Sequence, residues 1–148
     1  MISDVEVVVR LLLAVVLAGL VGLERESKGR EAGFRTHILV CMGSTLVMLT
    51  GLNLVGSLHA GGVVVDPTRM AAQVVTGVGF LGAGAIIRTQ DSIRGLTTAA
   101  GLWAAAGIGL AVGSGFYVGA VAATLIVLIA LFSLSSIEQR IRSRRKTS

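Results

Sequence analysis

The chain reads as an all-α membrane protein of about five transmembrane helices, and three observations predict this. Hydrophobic residues make up 53% of its 148 residues and charged ones only 14%, against about 25% charged in a soluble domain. Mean hydropathy is +0.85. The apolar residues fall into runs near the ~20 residues that span a bilayer, and these runs mostly lack the polar face that a soluble bundle needs. Glycine is abundant (20 residues) and proline nearly absent (1 residue).

The net charge of +5 does not point to nucleic acid. Lys and Arg cluster at the ends of the apolar runs rather than on one amphipathic face, so they read as topology signals. Cys41, the only cysteine, lies inside an apolar run. It cannot form an intramolecular disulfide and is expected to be a small buried residue.

The first span, 5–23, is too long for a signal peptide and lacks a cleavage site. Glu6 and Arg10 lie one helical turn apart and can pair near one membrane face. Ala14, Ala18 and Gly22 recur every four residues, a flat strip for close helix contact. The charged stretch from Glu24 to Arg35 then leads to the second span, 35–58, with Thr36 as the expected N-cap. His37, Cys41, Ser44 and Met48 form a mildly polar stripe along it.

A Gly-rich loop closes on Asp66-Pro67, an N-cap and a first-turn proline. The third span covers 68–87. A polar turn from Arg88 to Gly95 holds Arg88, Asp91 and Arg94. The fourth span, 96–112, opens with Thr97 and Thr98 and carries a ridge of Gly101, Ala105 and Gly109, with Gly113 and Gly115 to break it. The fifth, 116–137, is rich in Leu, Ile and Val and is expected to face lipid on one side. Residues 1–137 thus form one five-helix domain. Residues 138–148 form a basic cytoplasmic tail, expected to be disordered or laid against anionic headgroups.

Topology follows from the basic residues. The first loop has Arg25, Lys28, Arg30 and Arg35, the third-to-fourth turn has Arg88 and Arg94, and the tail has Arg140, Arg142, Arg144, Arg145 and Lys146. The opposite side offers only Arg69. This predicts the N-terminus outside and the C-terminus inside.

Gly77-Val-Gly79-Phe-Leu-Gly82 matches the dinucleotide fingerprint GxGxxG, but no strand precedes it and it lies in mid-span. Its glycines, with Gly84, Gly101 and Gly109, read instead as helix-packing surfaces. Arg69, Gln73, Gly77, Gly84 and Arg88 share one side of the third helix. This stripe is either a packing face with Gln73 hydrogen-bonded to a neighbour, or a polar path through the membrane. Polar groups in a membrane need a partner or a function, so Gln73, Thr97 and Thr98 are the candidate buried polar residues.

The inner face gathers Glu24, Glu26 and Asp91 against Arg25, Arg35, Arg88 and Arg94, as a salt-bridge network or as a site for an ion or a partner. Asp66 and Arg69 mark an outer entrance and can pair across one turn. No HExxH, GxSxG, P-loop or CxxC pair appears, and no cofactor is expected. His37 and His59 are expected on opposite sides of the bilayer and so cannot share a metal.

These same segments resemble the MgtC/SapB family, which includes the YhiD proteins. The matching stretches are GLERE at Gly22 to Glu26, AGFRTHILVCMGS from Ala32 to Ser44, the run from Asp66 to Ile87, and the run from Arg94 to Tyr117. They cover nearly the whole chain in the right order. The resemblance implies a bacterial inner-membrane protein of about five spans. It further implies a link to growth in low Mg²⁺, acid tolerance and survival inside macrophages. Some members are thought to restrain the membrane ATP synthase, and the family is often labelled a magnesium transporter. Larger members add a soluble C-terminal domain; this chain is expected to be the membrane domain only.

The combined expectation is a non-enzymatic membrane factor tied to Mg²⁺ homeostasis, forming a homodimer or small homo-oligomer. Its expected partners are the lipid bilayer and another membrane protein such as ATP synthase, with Mg²⁺ as a candidate ligand. The alternative is an ion transporter or channel with a path along the third span.

Overall fold

The computed structural model describes residues 2–58 and 66–145, with side chains described for 2–56 and 66–133. The described residues form five helices: α1 (Asp4–Ser27), α2 (Phe34–Leu58), α3 (Pro67–Gly84), α4 (Leu96–Ser114) and α5 (Tyr117–Arg145). A two-stranded antiparallel ribbon, β1 (Ile87–Arg88) with β2 (Ile93–Arg94), links α3 to α4. Asp4–Ser27, Phe34–Gly56 and Leu96–Ser114 are long and apolar enough to cross a bilayer, and Tyr117–Ser133 is a shorter apolar helix. Arg69 and Gln73 leave α3 less apolar than these.

Local chemistry sets most of the ends. Ser3 caps α1 by accepting from the Glu6 N–H. Asp66 caps α3 by accepting from the Thr68 N–H at 2.9 Å, with Pro67 in the first turn, as the Asp-Pro pair predicts. Gly95 (φ 86°) and Gly115 (φ 83°) flank α4 in the left-handed region that favours glycine.

Four expectations of local structure are corrected. Thr36 does not cap α2, which begins at Phe34; its first N–H is taken by the Glu26 carboxylate from the end of α1, at 2.8 Å. The third helix ends at Gly84 rather than at 87, because the chain turns into the ribbon. Gly113 does not break α4; it lies inside the helix, buried against Thr45 and Met48, and Gly115 ends it. Of the two expectations for the tail, disorder is the one corrected: the chain is helical as far as Arg145.

At the centre α2 and α4 run parallel, in register. The stripe His37, Cys41, Ser44 and Met48 meets the small ridge Gly101, Ala105, Gly109 and Gly113. A methyl group added at Gly101 would lie 3.3 Å from His37 Nε2, and one at Gly109 would overlap the Cys41 carbonyl. Lipid is as apolar as leucine, so such contacts gain from close approach and hydrogen bonding rather than from escaping water. Thr45 supplies one such bond, donating to the Gly109 carbonyl at 2.8 Å.

Helix α1 lies antiparallel to both, with Gly22 against the Phe34 backbone. Ala14, Leu17 and Ala18 of α1 close the core with Cys41, Ala105, Ile108, Val112 and Ala120. A second cluster, Ala32, Val78, Leu102 and Ala106, seats α3 on α4. Helix α5 turns Val118, Leu125, Ile126, Ile129 and Phe132 outward.

Candidate functional site

The up-and-down order brings the α1–α2 turn and the α3–α4 ribbon to one end of the bundle, and with them Arg25, Lys28, Arg30, Arg35, Arg88 and Arg94. At this end Glu24 (4% exposed), Arg25 (3%), His37 (0%) and Thr98 (6%) are each buried. Arg25 Nε and Nη2 both donate to Glu24 Oε2 at 2.5 Å. The ring of His37 donates from Nδ1 to the Gly33 carbonyl at 2.9 Å, and its Nε2 faces Gly101. The charges of Arg25 and Glu24 are both felt at the ring.

The rest of the predicted inner-face set does not join this cluster. Glu26 is exposed and caps α2, while Arg35, Arg88, Asp91 and Arg94 point outward. The two ion pairs with both partners described are Glu24–Arg25 and Glu6–Arg10. The expected network is therefore reduced to one buried pair, because the ribbon carries its arginines clear of the bundle.

Two of the three polar residues expected to be buried are not. Thr98 is buried; Thr97, one position earlier, faces out. Gln73 is exposed because α3 packs through Val74, Val78 and Gly82, and Gln73 lies one residue off that ridge. The whole stripe Arg69, Gln73, Gly77, Gly84 and Arg88 faces outward. A methyl group added at Gly77, Gly79 or Gly84 would meet nothing within 4 Å, so among the described residues these glycines pack against no other helix. Gly101 and Gly109 do pack, against α2.

At the opposite end, Asp66 does not pair with Arg69; the Thr68 N–H and hydroxyl hold its carboxylate. Those two donors keep the Asp66 carboxyl below its ordinary value. Arg69, Gln73, Met70, Val74 and Val47 line an open groove of about 450 Å³ between α2 and α3.

Two buried groups escaped sequence reasoning as site residues. His37 was visible only as one member of a stripe. Arg10 was visible only as a partner of Glu6; it also donates to the Gly113 carbonyl at 2.6 Å and lies 5.6 Å above the Tyr117 ring, pinning α1 to the α4–α5 turn. Charges inside apolar runs were the available signal for Arg10. Among the described residues, no three His, Cys, Asp or Glu side chains come together as a metal-ligand set.

The MgtC family model matches residues 11–140. This chain belongs to the MgtC family. It is similar to the "Putative magnesium transporter YhiD" of Escherichia coli (strain K12), 52% identical over 99 residues, covering 64% of this chain and 45% of that protein. It is similar to the protein MgtC of Salmonella typhimurium (strain LT2), 42% identical over 134 residues, 90% of this chain and 54% of that protein. A Haemophilus influenzae protein is 43% identical over 136 residues, covering 88% and 56%. The chain spans about half the length of the curated relatives it matches. No solved structure matches. Family and helices together make this a multi-pass membrane protein.

Proposed function

We propose that this MgtC-family chain is a non-enzymatic factor of the bacterial inner membrane, with its arginine-rich end in the cytoplasm. In this reading it supports adaptation to low Mg²⁺ and acid by holding another membrane protein. The carrying observation is the outward stripe of α3. Arg69, Gln73, Gly77 and Gly84 are all turned away from the chain's own core, while glycines that add nothing to internal packing leave room for a foreign helix. A glutamine facing hydrocarbon needs a hydrogen-bonding partner. A second copy of the chain or another membrane protein, of which ATP synthase is the candidate, supplies it. The link to Mg²⁺ comes from the family resemblance and the name of the E. coli relative.

The second reading, transport, is favoured by the groove beside Arg69 and Gln73, which could line a path between two subunits. Two arginines on that stripe repel a divalent cation.

The test is ion flux into liposomes carrying the purified chain, for Mg²⁺, K⁺, H⁺ and an anion in turn, together with Gly77→Leu. The regulator reading expects no flux above empty liposomes, and a folded Gly77→Leu protein that no longer supports growth in low Mg²⁺. Flux that disappears in Gln73→Leu or Arg88→Ala establishes transport instead.

A further inference from the structure

The arginine-rich end of the bundle holds two buried side-chain atoms with no hydrogen-bond partner among the described residues, Glu24 Oε1 and His37 Nε2. Both side chains are more than nine-tenths buried. Unpaired polar atoms are rare in such places and call for an explanation.

The geometry fixes what each atom can accept. A carbonyl only accepts, so the Nδ1 atom facing Gly33 O carries the hydrogen. In the neutral ring, Nε2 is then left with a free lone pair. Glu24 spends Oε2 on Arg25 and leaves Oε1 as a second free acceptor. Two acceptors without a donor select a species that brings hydrogen. Space limits it further, because Gly101 is closely packed on Nε2. An anion finds no free donor on these two atoms, and the Arg25 guanidinium opposes a divalent cation.

We propose that Glu24 and His37 form a buried proton-binding site at the arginine-rich end of the bundle. A hydronium ion from the arginine-rich side gives its proton to the Nε2 lone pair: one O–H bond breaks, one N–H bond forms, water is released, and imidazole becomes imidazolium. From α1, the Glu24 carboxylate offsets the new charge and Arg25 opposes it. Helix α4 presents Gly101 and, one turn earlier, Thr98. Helix α3 has its one charged residue, Arg69, and its cap, Asp66, at the opposite end. In α5 the one ionisable side chain up to Ser133 is Tyr117, also at the opposite end. Glu26, Arg35, Arg88 and Arg94 share this end but face outward.

A charged ring would sit in the seam between α2 and α4 and beside the Gly33 carbonyl that ends the α1–α2 turn. Proton uptake would therefore change the contact of the two central helices. The inference deepens the regulator reading by giving it an input, the pH on the arginine-rich side, and takes only the side of the membrane from that reading.

The experiment uses the full chain in lipid with ¹⁵N-labelled histidine. The chain has two histidines, and His59→Gln leaves His37 as the single signal. The expected result is conversion of a neutral Nδ1–H ring to imidazolium between about pH 4 and 8. In Glu24→Gln the midpoint should fall by about one unit, roughly a tenfold loss of proton affinity. A ring unchanged across the range, or an identical midpoint in folded Glu24→Gln, overturns the proposal. Should Glu24→Gln not fold, the ¹³C carboxyl signal of Glu24 in the unsubstituted site decides: it must move in step with the ring, as coupled groups do, and independence overturns the proposal. The titration needs neither a partner nor an ion gradient. A chain that proves to bind no membrane protein overturns the regulator reading alone, and a silent ring overturns this one alone.

Discussion

Two glycines, Gly109 of α4 and Gly77 of α3, show what a single residue contributes. Gly109 brings α4 onto the Cys41 carbonyl of α2, and neither backbone can give way without parting the helices. Gly109→Ala is expected to destabilise by about 1–3 kcal/mol, the usual range for an overpacked core. Gly77 faces open space, and Gly77→Ala is expected to be neutral or to stabilise by up to ~1 kcal/mol through helix propensity. Unfolding of both variants in mixed detergent checks the contrast, and equal effects would contradict the central α2–α4 contact. Arg10→Met removes the donor to the Gly113 carbonyl and the charge over Tyr117. A loss of about 1–3 kcal/mol is expected for the abandoned buried acceptor, read in the same unfolding assay.

At the scale of the element, α3 is the helix least committed to the bundle, and its start depends on one carboxylate. The two bonds from Thr68 stabilise the charged form of Asp66 and depress its pKa. A depressed carboxylate contributes stability that is present above its unfolded value, near 4, and is lost as pH falls through the lower folded value. Exchange of the Thr68 amide is therefore expected to stay slow at neutral pH and to accelerate only below about pH 4. Asp66→Ala should make it fast throughout. An amide already accelerating at pH 6 would mean that another group controls the helix start.

Legibility in the sequence varied by element for a physical reason. The Asp66-Pro67 start of α3 was readable because capping is local: the carboxylate and the N–H it binds are two residues apart. The start of α2 was not, because its capping carboxylate, Glu26, comes from the end of another helix. The ridge Gly101, Ala105 and Gly109 and the stripe from His37 to Met48 were each readable as periodic faces. That they are two sides of one contact was not. On α3 the periodicity of Arg69, Gln73 and Gly77 was correct, but the ridge one residue away is the one that packs.

For the whole molecule, the buried Glu24–Arg25 pair, His37 and Thr98 lie at the arginine-rich end, and the α3 stripe lies on the outside. Orientation is testable directly. Cys41 is buried, so a cysteine placed at Ser3 or at Arg30 reports its own side. A membrane-impermeant thiol reagent on intact cells is expected to label the Ser3→Cys chain and to spare Arg30→Cys. The reverse pattern would invert the topology.

The sequence by itself determined the membrane class, the number of helices, the arginine-rich end and the family. Each depends on composition, hydropathy or the order of motifs along the chain, and none needs to know which helix touches which. The tertiary structure alone decided that Gln73 faces outward and Thr98 inward, that Glu24 pairs with its own neighbour rather than with the ribbon, and that His37 is buried with Nε2 unpartnered. Helical periodicity places residues on a common face of a helix; only the packing of the other helices decides whether that face meets protein or lipid.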